Sequence, residues 1–437
     1  MSKRVFGLVA LCAAGSLALI VSPGSHSGVA QGKTPPRPAQ AQAAKPADNA
    51  GSAAAKKTIH LTRAPERVVE DTFSSPSAVA EDVNRNEIIV EDENRDQLIV
   101  YGRLDNTPAA ASMTEPKRVI GGRNTKISEN CGLYVDPFSG DIYSVNGDTT
   151  NYMTVWTREQ KGNEKPERAL NVPHRAFAVA VDEQAKEMYI TIEAPAAVVV
   201  YDKTADGQTA PKRILEGDKT LLADAHGIAL DTKNGLMYIS NQGATASNTN
   251  NGGWQHDVNE MKGKPDVEWM PDTDRWRFLV PGSGSFLPPS ITVFSMKASG
   301  DTAPVRVIRG PHTKLDWPAH ISLDPDRQEL YVANTVTNDI LVFRATDNGD
   351  ATPIRIIHGP KTGLSHPHGV FVDTKNNELV AANFGNHSST IYPRDANGDV
   401  APLRTIRSAP ANAPAPMFGN IGALAYDTKR DQVLAPN

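Results

Sequence analysis

Cysteine is almost missing from these 437 residues: there are two, Cys12 and Cys131, and the first lies in an apolar N-terminal run. If that run leaves on export, no intramolecular disulfide can form, and stability must come from a packed core. A chain of this length can bury one. Aromatic residues make up only 6% of the sequence, and no basic tract occurs. The formal net charge of −5 makes nucleic acid an unexpected partner. Apolar residues do not recur at i, i+3, i+4, which excludes a helical-repeat architecture. A nucleophile elbow, a P-loop, a dinucleotide fingerprint and an HExxH helix are all lacking, so the reading leans away from an enzyme.

What is present begins with Lys3 and Arg4, the run "VFGLVALCAAGSLALIV" and the small residues of "SGVAQ". This pattern is that of a secretory signal peptide over residues 1–30, cleaved after Ala30. The run lies near the lower limit of about 17 residues for a spanning helix, so a retained membrane anchor is the rival. Cleavage removes Lys3 and Arg4 and takes the net charge from −5 to −7. Residues 31–57, "QGKTPPRPAQAQAAKPADNAGSAAAKK", hold almost nothing to bury and read as a disordered linker. A periplasmic or secreted protein follows, with no stable membrane insertion once the signal is removed.

From Thr58 onward three markers recur in fixed order. Pro65, Pro116, Pro166, Pro211, Pro304, Pro353 and Pro402 each stand two residues before an Arg. An Asp then closes an apolar alternating run: Asp82, Asp136, Asp182, Asp231, Asp324, Asp373 and Asp427. Ten residues beyond it come Asp92, Asn146, Asn241, Asn334, Asn383 and Asn437, with Ile192 the exception. Successive Pro markers lie 51, 50, 45, 93, 49 and 49 residues apart. A period of about 50, built from short alternating runs, is that of propeller blades. One unit displays all the strands: "HISLD" (320–324) is a, "ELYVAN" (329–334) b, "ILVF" (340–343) c and "PIRIIHG" (353–359) d.

Strands a, b and d occur seven times, but the chain stops after the last b strand. The missing c and d strands are supplied at the other end by "TIHL" (58–61) and "RVVE" (67–70). The expectation is an all-β, seven-bladed β-propeller over residues 58–437, closed where N-terminal c and d strands complete the C-terminal blade. Pro suits the start of an outermost strand, which has one unpaired edge. The Arg after it lays its stem on the strand and pairs its head with a neighbouring carboxylate or carbonyl. "PHGVFVDTKNNELVAANFGN" and "LYVANTVTNDILVF" resemble the NHL and YVTN repeats of bacterial extracytoplasmic propellers. The resemblance implies a ligand- or protein-binding scaffold, with lyases and lactonases a minority of such proteins.

In this fold the d–a and b–c connections share one face, the top, around the axial channel. The residues at the mouth, just before each a strand, are Ser77, Cys131, Phe177, His226, Ala319, His368 and Gly422, with His320 one step further on. His226, His320 and His368 approach one arc and are candidates for ligand contact or for a divalent metal. A related propeller lyase holds a metal in a His-lined channel, which the resemblance carries to these residues. His320 is out of register and is expected to point to the opposite side of its strand. Cys131 reads either as a small buried residue or as a thiol at the mouth. The Asn of the third marker reads as a turn cap, because a catalytic site needs asymmetry.

Departures from the repeat are further candidates. Glu91, Asp92 and Glu93 replace the consensus in the first blade, and Glu193 stands in the third, all expected on the top face. An insertion over residues 242–290 interrupts the fourth blade and carries Trp254, Trp269 and Trp276. It reads as a packed lid or as a set of aromatic anchors for a partner. The expected function is binding of a protein, peptide or glycan by a monomeric propeller through its top face. The alternative is a metal-assisted lyase or lactonase using the channel mouth.

Overall fold

The computed structural model describes residues 71–147, 150–243, 287–415, 425–427 and 432–434. The alternating runs form antiparallel four-stranded meanders. Blade 1 comprises β1 (Pro76–Asp82), β2 (Glu87–Asp92), β3 (Gln97–Gly102) and β4 (Arg118–Gly121). Blade 2 comprises β5 (Asn130–Val135), β6 (Ile142–Asn146), β7 (Tyr152–Trp156) and β8 (Arg168–Asn171). Blade 3 comprises β9 (Ala176–Asp182), β10 (Glu187–Ile192), β11 (Ala197–Asp202) and β12 (Arg213–Glu216). Blade 4 comprises β13 (Ala225–Asp231), β14 (Leu236–Asn241), β15 (Ser290–Ser295) and β16 (Arg306–Ile308). Blade 5 comprises β17 (Pro318–Asp324), β18 (Glu329–Asn334), β19 (Asp339–Arg344) and β20 (Arg355–Ile357). Blade 6 comprises β21 (Pro367–Asp373), β22 (Glu378–Asn383), β23 (Ser388–Pro393) and β24 (Arg404–Arg407).

The innermost strands β1, β5, β9, β13, β17 and β21 abut in that order, and β21 abuts β1. The sevenfold expectation is therefore corrected: among the described residues the ring has six complete blades and closes on itself. The a and b strands of the seventh repeat form a separate two-stranded hairpin, β25 (Ala425–Asp427) with β26 (Gln432–Leu434). That hairpin belongs to a second compact unit. The expected closing strands, 58–61 and 67–70, lie outside the described residues.

The physical reason is that β21 and β1 are as complementary as any other pair of neighbours. A β-carbon on Gly369 would stand 2.9 Å from Ala78 Cα, as one on Gly227 would stand 2.8 Å from His320 Cα. Val79, Ile88, Val90 and Ile99 pack against Val380, Ala382, Ile391 and Ile406 to form one continuous core. Elsewhere the outermost strand bridges the next blade's c–d turn, as in Ile120 with Gly162 and Ile357 with Gly398. At the closing junction the Thr107 N–H donates to the Thr405 carbonyl in the same way.

The Pro-x-Arg marker has an architectural cause. Arg118, Arg213, Arg355 and Arg404 pair with Glu87, Glu187, Glu329 and Glu378, each the first residue of its own blade's second strand. In blades 2 and 4 that place is taken by an apolar residue. There Arg168 and Arg306 donate to the hydroxyls of Tyr143 and Tyr238 and to main-chain carbonyls. A second set of pairs joins neighbouring blades. A cation after a third strand reaches the Asp that closes the preceding blade's first strand: Arg158 to Asp82, Lys203 to Asp136 and Arg394 to Asp324.

Candidate functional site

The third marker fixes the top face. Asp92 Oδ1 accepts the Ser75 N–H at 2.8 Å, Asn146 that of Ser128 at 3.1 Å and Asn241 that of Ala223 at 3.0 Å. Asn334 and Asn383 accept from Asp316 at 2.7 Å and Ser365 at 3.3 Å. Each side chain thus clamps the connection entering its own blade's first strand, the capping role expected of a short polar residue. The Asn residues are spent on loop geometry.

On entering blades 2–6 the chain turns through a residue of positive φ: Glu129 (45°), Arg175 (62°), Asp224 (58°), Trp317 (58°) and His366 (46°). Their carbonyls accept the N–H groups of Gly147, Glu193, Gln242, Thr335 and Phe384 in turn. Such a backbone costs a non-glycine residue about 1 kcal/mol or more. Five blades carry it, each with a different side chain, and those side chains surround the mouth. The first strand then takes a bulge, as between Pro318 and Ile321 or Pro367 and Gly369.

The bulges aim side chains down the axis. Phe177 is the hub, with ring centroids 4.0 Å from His226, 5.1 Å from His320 and 5.6 Å from His368. His320 and His368 lie 5.7 Å apart, edge to face. The three histidines are thus gathered around Phe177, and the orientation expected of His320 is corrected. The register shift between Pro318 and Ile321 brings its ring to the shared cluster. Phe177 was visible in the sequence as a mouth residue, but an aromatic among apolar neighbours gave no functional signal.

Each imidazole has one nitrogen held by a carbonyl. His320 Nε2 lies 2.6 Å from the Cys131 oxygen, His368 Nδ1 3.2 Å from that of Ser77, and His226 Nδ1 3.0 Å from that of Asp224. A carbonyl only accepts, so these nitrogens carry the hydrogens, and in His320 and His368 the lone pair falls on the other nitrogen of the ring. Burial, then the neighbouring His368, push His320 down to about 3. Burial and His226 push His368 down to about 4. Both rings are neutral at ordinary pH and offer acceptors. His226 Nε2 faces Glu193 Oε1 at 3.6 Å, which brings Glu193 to the cluster. Among the described residues no three His, Cys, Asp or Glu side chains are gathered in a way that would hold a metal ion.

The other candidates divide. Cys131 is buried, and its thiol donates to the Glu129 carbonyl at 3.2 Å. Glu91 and Asp92 are fully buried, which corrects their expected place on the open top face. Asp92 serves as a clamp, and Glu91 Oε1 accepts from Ser144 Oγ at 2.7 Å across the junction of blades 1 and 2. Burial raises the Glu91 carboxyl to about 8. Trp254, Trp269 and Trp276 lie outside the described residues. The insertion nevertheless leaves and re-enters at adjacent points: Asn241 pairs with Ser290, and a β-carbon on Gly243 would stand 2.6 Å from the Leu287 oxygen.

The mouth is chemically lopsided. Glu93, Glu129, Glu193 and Asp224 belong to blades 1–4, with Arg175 among them, whereas Trp317 and Phe384 belong to blades 5 and 6. Trp317 is 45% exposed, the largest apolar side chain open to solvent among the described residues. Such a surface suits a ligand that presents donors on one side and an apolar or flat group on the other. Nothing in the sequence apart from its aromatic character marked Trp317.

Fold and site together define a β-propeller protein with an axial aromatic–imidazole cluster. The family profile described as "Lactonase, 7-bladed beta-propeller" matches residues 278–418, from the end of the insertion through blade 6. No curated protein sequence gives a significant match. Among solved structures, the chain is similar to a chain of Kuenenia stuttgartiensis hydrazine synthase at 10% identity and a TM-score of 0.46. The likeness covers 76% of this chain and 99% of that one.

Proposed function

We propose that this chain is an exported, monomeric propeller scaffold that binds a protein, peptide or glycan ligand through its top face. The observation that carries the reading is the asymmetry of the mouth: Trp317 and Phe384 belong to blades 5 and 6 and the carboxylates Glu93, Glu129, Glu193 and Asp224 to blades 1–4, about an axial cluster that holds the neutral imidazoles of His320 and His368. A rigid ring presenting variable, individually clamped residues is how propellers display a binding surface. The N-terminal Lys3–Arg4 pair and the apolar run after it support export. The test is a screen of peptide and glycan arrays with the full mature chain and its Trp317→Ala variant. Binding that Trp317→Ala weakens at least tenfold supports the reading. A chain that binds nothing, or binds equally after the substitution, sinks it.

A second reading, a metal-assisted lactonase or lyase, is favoured by the lactonase profile over residues 278–418, which include His320 and His368. The imidazole lone pairs are the chemical basis for holding a metal. Metal analysis of protein purified without chelator, together with a lactone-hydrolysis assay, distinguishes the two. Stoichiometric metal lost from the His226→Ala/His368→Ala double variant, with turnover that follows it, would replace the scaffold reading.

A further inference from the structure

Where blade 6 meets blade 1, the ring lacks a pair found at three of its other five junctions. There a guanidinium or ammonium reaches the Asp closing the preceding blade's first strand, as Arg158 reaches Asp82, whereas Met296 and Ala345 stand at the cation's place in blades 4 and 5. Here the corresponding cation is Arg103, and the Asp is Asp373. Arg103 instead pairs with Glu378 at 2.9 Å, where Arg404 also binds at 2.6 Å. What stands beside Asp373 is Glu81.

Glu81 is an anomaly of position. Counting back from the closing Asp of the first strand, the same place holds Val135, Val181, Leu230, Leu323 and Val372 in blades 2–6. Strand alternation puts it on the same side as Val79, which lies in the core shared with blade 6, while Ala80 lies in the core shared with blade 2. The side chain is 5% exposed, and neither of its oxygens accepts a hydrogen bond. An ionised carboxylate in that position would be unsolvated and would face a second carboxylate.

We propose that a proton carried by Glu81 and donated to Asp373 takes the place of the missing cation, so that the blade 6–blade 1 junction is a proton-held seam that loosens in alkali. The charged groups facing Glu81 are Asp373 on β21, Glu378 on β22 and Arg103 after β3. Two are acidic, and the single cation is engaged by Glu378. Burial, followed by the Asp373 hydrogen bond and charge and by Glu378, raises the Glu81 carboxyl to about 9 against the opposing pull of Arg103. A carboxyl raised in the folded state contributes stability that is fully present below the unfolded value. That stability declines with rising pH until the folded value is passed.

The experiment compares the full chain with Glu81→Gln, whose amide donates to Asp373 at any pH. Between pH 6 and pH 9 the Tm of the wild type should fall by about 5 °C more than that of Glu81→Gln. Hydrogen exchange, corrected for its intrinsic pH dependence, should lose protection at pH 9 in β1 and β21–β24 before the other blades. If Glu81→Gln does not fold, Glu81→Leu, the residue of blades 4 and 5 at this place, serves the same comparison. Parallel Tm curves for wild type and variant, or a loss of protection uniform over all six blades, would overturn the proposal.

Discussion

Arg355, on the outermost strand of blade 5, grips Glu329 on the second strand with both guanidinium nitrogens, at 2.8 and 2.6 Å. The pair spans the strand between them, and the guanidinium holds the Glu329 carboxyl below the usual carboxylate range. The side chains are only 17% and 13% exposed, so solvent screens them weakly. Arg355→Ala should destabilise by about 2 kcal/mol, chiefly because it strands Glu329. Arg355→Lys should recover less than half of that, since an ammonium cannot make the paired contact. Urea unfolding of the variants checks both, and equal stability of all three proteins would remove the architectural account of the repeated Pro-x-Arg.

The axial imidazoles give a pH prediction of the opposite sign to the seam. His320 and His368 are depressed, to about 3 and about 4. Their contribution to stability is present above the unfolded value of about 6.5 and is lost as pH falls through the folded values. Nitrogen-resolved NMR should show His320 as the Nε2–H tautomer and His368 as the Nδ1–H tautomer, neither titrating above pH 5. A midpoint near 6 for either ring would mean that the cluster is open to water.

The insertion gives a third. Gly243 has a φ of 102°, and its missing β-carbon leaves room for the Leu287 carbonyl. Gly243→Val should therefore disturb the neck of the insertion, at a cost of about 1–2 kcal/mol by thermal melting. Replacing residues 244–286 by a short turn should leave the β circular-dichroism signal and cooperative melting intact, because β14 and β15 stay paired on their own. Collapse of the fold would place the insertion in the core.

Trp317 gives the last. Its side chain is largely open, so Trp317→Ala should lower Tm by no more than about 2 °C. If it anchors the ligand, binding should weaken by about 2 kcal/mol, read by calorimetry.

Much of this was legible because the determinants are local and repeated. The Arg and Asn markers, the strand boundaries and the splitting of blade 4 all follow from alternation and spacing, and the bonds of Asn146 and Asn334 show why. The number of blades in the ring was not legible. Repeats can be counted along a chain, but whether β21 turns to β1 or to another blade depends on side chains hundreds of residues apart, such as Val79 and Val380. His320 was misjudged because simple alternation does not anticipate a bulge. Glu91 was misjudged because an acid in a polar stretch reads as solvated, while its strand runs into the interior.

The residues of positive φ around the mouth are each fastened by their own blade, through a polar clamp or a main-chain bond to the end of the second strand. Glu129 and His366 are held also by the preceding blade, whose Asp96 and Asn338 side chains accept their N–H groups, main-chain bonds that survive a change of side chain. Substitutions at Glu129, Arg175, Asp224, Trp317 and His366 should then combine additively in stability. The rim is in this sense a keyboard whose keys can be re-lettered one at a time, and a new specificity can be reached by single steps that each leave a folded protein.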